Sequence, residues 1–197
     1  MIKSDENFTW TGRCPGDPRE NYAVAMVRGL SPQHLLERLR LRPTDPPRII
    51  GAEAVYEHWM NEREDDDLVG IFPIDDWAVA FEPGAYLLAD RQRLTRLSAG
   101  TQLVCHSNSI YTQDHFYWLE DGDLRLYLPP FWPEEREGTA VTDLTDAMRA
   151  IGFQFIEDEG ETNPIAKAFA LAEHITGVSL TEETFQEAVY LLGAVPD

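Results

Sequence analysis

Two adjacent residues, Asp121 and Gly122, constrain what this chain can fold into more than any other pair. They sit in "FYWLEDGDLRLYLPP", between two runs that alternate apolar and polar side chains. An Asp-Gly pair in that setting specifies a two-residue type I′ turn, because both central positions need positive φ. The turn predicts a hairpin with Trp118 opposite Arg125 and Tyr117 opposite Leu126. Pro129, Pro130 and Pro133 then end the sheet, since proline has no N–H to offer a ladder.

Other strands follow the same logic. "LVGIFPI" and "WAVAFEP" flank Asp75-Asp76, which reads as a second tight hairpin; Trp77, Val79 and Phe81 share one face, Ala78 and Ala80 the other. "TQLVCHS" and "QDHFYWLE" form another pair, and "NYAVAMVR" (21–28) is a short apolar run of strand type. Helix signals separate them. Ser31 caps a helix that opens with Pro32, a helix spans 52–62, and Asp90 caps "RQRLTRLSA". The last third reads as three helices, the last of them capped by Thr181. Stripes run through Leu144, Ala147, Met148 and Ile151, through Ile165, Ala168, Phe169, Ala172 and Ile175, and through Phe185, Ala188, Val189 and Leu192.

The order β-α-α-ββ-α-βββ-ααα predicts an α+β fold. The expectation is a flexible segment over 1–20 and a single domain over 21–197. Its mostly antiparallel sheet has about six strands, with helices packed on one face and a helical C-terminal third. At 197 residues and 43% hydrophobic content, the chain can bury one sizeable core.

Charge narrows the function. The formal net charge is −19, with 35 acidic residues against 16 lysines and arginines. Such a chain repels phosphate backbones, which argues against direct nucleic-acid binding, and attracts basic proteins. No apolar run approaches the roughly 18 residues of a membrane span, and "MIKSDENFTW" has no signal-peptide core, so a cytoplasmic location is expected. The acidity is directional: from Trp132 to Asp197 there are 14 acidic and three basic residues, while basic residues concentrate at Arg28–Arg48 and Arg91–Arg96. "NEREDDDLVG" (61–70) and "EDEGE" (157–161) are the densest acidic runs. The first reads as a solvated loop, a docking surface, or a weak cation site; it lacks the spacing of a calcium-binding loop.

Signatures of catalysis are sparse. Cys14 and Cys105 are far apart and form no CxxC, and no nucleophile elbow, phosphate loop or dinucleotide fingerprint is present. The stretch "VCHSNSIYTQDHFYW" is richer. A hairpin turning near Ile110 sets Cys105 opposite His115 and His106 opposite Asp114, a nucleophile pair and a base pair. Adjacent strand residues point to opposite faces, so the four do not all converge. No metal or cofactor site is expected. Phe131-Trp132, between prolines, reads either as core or as an exposed hot spot.

"VRGLSPQHLLERL", "WAVAFEP", "RLSAGTQLV", "FYWLEDGDLRL", "AMRAIGF" and "ALAEHITGVSLTEETF" occur in order from about residue 22 to 186. Together they resemble an uncharacterised family, domain of unknown function 6461. The loop "EPGAYLLAD" departs from the Asn-Gly-Trp type of turn expected there. The resemblance implies a cytoplasmic, globular protein of actinobacterial type and brings no catalytic residues.

These features point to a non-enzymatic, acidic protein-binding module, of the immunity or antitoxin type that neutralises a basic protein. Its expected surface is Asp65, Asp66, Asp67, Glu157, Asp158 and Glu159. The alternative is a small enzyme or ligand-binding domain built on Cys105, His106, Asp114 and His115.

Overall fold

The computed structural model describes residues 21–61, 67–109, 114–156 and 160–196. The chain runs β1 (Tyr22–Arg28), α1 (Pro32–Leu39), β2 (Arg42–Ile50), α2 (Ala52–Asn61), β3 (Leu68–Ile74), β4 (Trp77–Pro83), α3 (Arg91–Leu97) and β5 (Gln102–Asn108). It continues with β6 (His115–Glu120), β7 (Asp123–Leu128), α4 (Val141–Ile151), α5 (Pro164–Thr176), α6 (Glu182–Glu187) and β8 (Val189–Ala194). The strands form one antiparallel sheet in the order β2-β8-β3-β4-β1-β5-β6-β7. The fold is α+β, as the hairpin signals predict.

Three expectations need correction. The sheet has eight strands among the described residues, not about six. The C-terminal third is not wholly helical. α6 ends at Glu187, and the chain returns to the sheet as β8, between β2 and β3. "VYLLGA" is a short apolar run that suits a buried strand as well as a helix stripe, and Tyr190 and Leu192 are fully buried there. The other missed strand, β2, contains Pro43, Pro46 and Pro47 and shifts register between Pro43 and Arg48, which suits only an edge.

The helices also cover both faces of the sheet rather than one. β1 and β4 are apolar at both parities and buried throughout most of their length, so each side needs a cover. Val24, Met26, Phe72, Val79, Phe81 and Phe116 face α2, α4, α5 and α6. Ala23, Ala25, Ala78, Ala80 and Cys105 face α1 and α3, through Leu35, Leu36, Leu39, Leu94 and Leu97. Small residues on this second side let helices approach closely. At Gly193 of β8 a Cβ would lie 2.9 Å from Leu41 and 3.0 Å from Leu36, so only glycine fits beneath α1.

The local signals hold. Ser31 Oγ accepts from the His34 N–H, Asp90 from Gln92 and Arg93, and Thr181 from Thr184. Asp121 and Gly122 adopt φ of 49° and 83°, as a type I′ turn requires. The register beyond the turn slips by one, because a bulge inserts Arg125; Trp118 lies opposite Leu126 and Tyr117 opposite Tyr127. The bulge accommodates the segment Glu137–Ala140, which runs along β7. Tyr127 and Glu137 exchange backbone hydrogen bonds, and Ala140 N–H donates to Arg125 O at 2.8 Å.

Candidate functional site

The β5–β6 hairpin separates its four chemical residues. His106 points toward α5, beside Phe169, and Cys105 lies in the opposite core beneath α3. The register is two residues from expectation: Cys105 pairs with Tyr117, His106 with Phe116, and Ser107 with His115. Cys105 is fully buried, its thiol donates to Leu88 O at 3.3 Å, and burial pushes its pKa well above the ordinary thiol value. A thiol so placed has neither the thiolate nor the access that nucleophilic attack needs.

His106 and Asp114 do meet, although not as cross-strand partners. His106 Nε2 lies 2.5 Å from Asp114 Oδ1, and its Nδ1 lies 3.2 Å from the Tyr22 hydroxyl. All three are buried, so the chain Tyr22–His106–Asp114 satisfies polar groups inside the core. His115 stands apart on the other face, half-buried, with Nδ1 3.1 Å from the Tyr127 hydroxyl. The hairpin thus yields a buried network and a separate histidine, with no site where both pairs act on one substrate.

Two buried acidic groups escaped the sequence reading. Glu82 in β4 is fully buried; its Oε1 accepts from the Tyr86 and Leu87 N–H groups and its Oε2 from Leu88. Desolvation outweighs these bonds and pushes its pKa up to about 7. It ties down the turn "PGAYLL". Glu161 accepts from Lys167 Nζ through Oε1 at 2.8 Å and from Gln154 N–H through Oε2 at 2.9 Å. The only signal for either was a charged residue inside or beside an apolar run.

Of the six expected surface residues, Asp67 alone is among those described; Asp65, Asp66, Glu157, Asp158 and Glu159 lie outside them. Asp67 is partly buried and its carbonyl accepts from Val195 N–H. Gly160 and Glu161, which follow residues 157–159 in sequence, pack against Phe131. Glu161 N–H donates to Phe131 O at 2.9 Å, and Gly160 sits so close to the Phe131 ring that a Cβ would come within 2.3 Å of it. Phe131 and Ile156 are each 42% exposed, so two large apolar side chains stand in the open on segments that flank the acidic residues 157–159.

Charge is divided across the sheet. The helices α2, α4, α5 and α6 expose Glu53, Glu57, Asp143, Asp146, Glu182, Glu183 and Glu187, against one exposed cation, Arg149. On the opposite side, α1 and α3 with their caps carry Arg38, Arg40, Arg91, Arg93 and Arg96, against Glu37 and Asp90. Among the described residues no three His, Cys, Asp or Glu side chains are grouped to hold a metal ion, and no helix is long and apolar enough to cross a membrane.

The chain belongs to a family of unknown function, DUF6461, whose sequence model matches residues 1–197. No curated protein and no solved structure matches it.

Proposed function

We propose that this DUF6461 member is a non-enzymatic protein-binding module that docks a basic protein through its acidic helical layer, in the manner of a cytoplasmic immunity or antitoxin protein. The observation that carries this reading is the division of charge across the sheet, with seven exposed carboxylates on the α2, α4, α5 and α6 side. A field with direction steers a basic partner to one side and orients it before contact. In sequence, the two acidic runs lie next to this layer's helices: residues 62–67 follow α2, and 157–159 fall between α4 and α5.

Phe131 and Ile156 are exposed apolar side chains, Ile156 directly preceding residues 157–159 in sequence and Phe131 packed against Gly160 directly after them. That combination suits recognition, since aromatic anchors contribute affinity while rim charges contribute association rate and specificity. The partner is a protein; a nucleic acid would meet repulsion from the same carboxylates.

The test is capture of binding proteins by the purified chain at low and at high salt. Wild type should recover a basic protein at about 50 mM salt and lose most of it at about 500 mM, where charges are screened within about 4 Å. Neutralising Asp65, Asp66, Asp67, Glu157, Asp158 and Glu159 to their amides should slow association at least tenfold. Recovery of no basic protein at low salt, or equal capture by the neutralised variant, would overturn the reading.

A further inference from the structure

The side of the sheet opposite the acidic layer carries a second feature, independent of the docking surface. A concavity of about 610 Å³ opens between the C-terminal end of α1, the helix α3 and the segment after β8. Arg38, Arg40, Arg93 and Arg96 line it, together with Leu39, Leu97, Ala99, Val195 and Pro196, and among the described residues no acidic side chain does. We propose that this is a binding pocket for a small molecule bearing two or more phosphate groups.

What sets the pocket apart is the clustering of its arginines; elsewhere Arg48 and Arg136 also lack a carboxylate partner among the described residues, but each stands singly, and several other arginines are paired. Acidic residues outnumber basic ones by 35 to 16 in this chain, so an exposed arginine meets a carboxylate easily. Arg28 pairs with Asp76, Arg91 with Glu137, Arg125 with Glu120 and Arg149 with Asp146. None of the four pocket arginines has a carboxylate partner among the described residues. Holding like charges around one concavity costs Coulomb energy that an anionic occupant reverses.

One of the four is already fixed. Arg38 Nη1 donates to Leu97 O at 3.2 Å and to Ala99 O at 3.1 Å, carbonyls at the C-terminal end of α3. It bridges α1 to α3 and sets the floor. Arg40, Arg93 and Arg96 keep their guanidinium donors for a ligand. Planar guanidinium groups engage phosphate oxygens through paired N–H bonds, which favours phosphate over a monovalent anion. The volume is that of a small-molecule site, and Leu39, Leu97, Val195 and Pro196 offer an apolar wall to the remainder of the molecule.

Titration calorimetry on the full chain tests this, with inorganic pyrophosphate and metal-free ATP as probes and citrate as the carboxylate comparison. Saturable one-to-one binding of a phosphate probe is expected at low salt. Arg93→Gln combined with Arg96→Gln should weaken it at least tenfold at an unchanged melting temperature. Arg91→Gln, on the same helix but outside the pocket, should leave affinity within twofold. No binding at 1 mM probe, equal binding by the double variant, or tighter binding of citrate than of pyrophosphate would overturn the proposal. The docking surface shares none of these arginines, so the two readings fail separately.

Discussion

Lys167 Nζ lies 2.8 Å from Glu161 Oε1, and each side chain is only 3% exposed. The pair joins α5 to the end of the segment carrying residues 157–159, so a buried charge fixes where the acidic run rejoins the core. Lys167→Met should cost about 3–5 kcal/mol, because it strands the Glu161 carboxylate away from water. Adding Glu161→Met should recover part of that loss, leaving mainly the Gln154 N–H unpaired, at about 1–3 kcal/mol. Urea denaturation of the two variants checks the order.

Glu82 makes stability depend on pH. Its pKa rises from 4.5 to about 7 on folding, with burial the leading cause. A carboxyl raised in this way binds its proton more tightly in the folded chain, so its contribution is greatest below about 4.5 and is lost as pH climbs toward 7. Glu82→Gln removes the ionisation. Relative to this variant, wild type should lose up to about 3 kcal/mol between pH 4.5 and pH 7.5. Chemical denaturation of both at several pH values reads the difference.

Cys105 should be inert in the folded protein. With Cys14→Ser removing the other thiol, Ellman's reagent should react only as fast as the chain opens, and adding urea should release one equivalent at once. Cys105→Ala should cost about 1 kcal/mol for the lost bond to Leu88 O. Rapid labelling of the native protein would reinstate the hairpin as a reactive site.

These groups mark the limits of what the sequence could say. Caps at Ser31, Asp90 and Thr181 and the turn at Asp121-Gly122 were legible because each is a local backbone requirement met by one or two residues. β8 was not, because Phe185, Ala188, Val189 and Leu192 satisfy a helical period while "VYLLGA" also satisfies a buried strand; the vacancy between β2 and β3 decides it. The slip at Arg125 was not legible either, since it goes with the close packing of Gly138, more than ten residues away, against Arg125 O. The arginine pocket was visible only as two basic stretches, Arg28–Arg48 and Arg91–Arg96. That they meet follows from α1 and α3 covering the same face. His106 and Asp114 were paired correctly through the wrong register, since both lie near the hairpin's end.

Gly138 should tolerate no side chain. Its φ is 130°, and a Cβ would stand 2.4 Å from Arg125 O. Gly138→Ala should therefore cost at least about 2 kcal/mol, combining backbone strain with the displaced contact. Thermal unfolding measures the loss. Hydrogen exchange should place the loosening at Tyr127 and Ala140, whose amides bond across this contact.

The segment Glu137–Ala140 and the prolines of β2 have a common consequence for recognition. The outer rim of β7 is already occupied by the chain itself, and at the far end Pro43, Pro46 and Pro47 present no amide hydrogen to a visitor. Strand addition, by a peptide or by another copy, is thereby disfavoured at both margins. A bound protein would therefore be gripped chiefly by side chains, and its selectivity could be rewritten by surface substitutions that leave the sheet untouched.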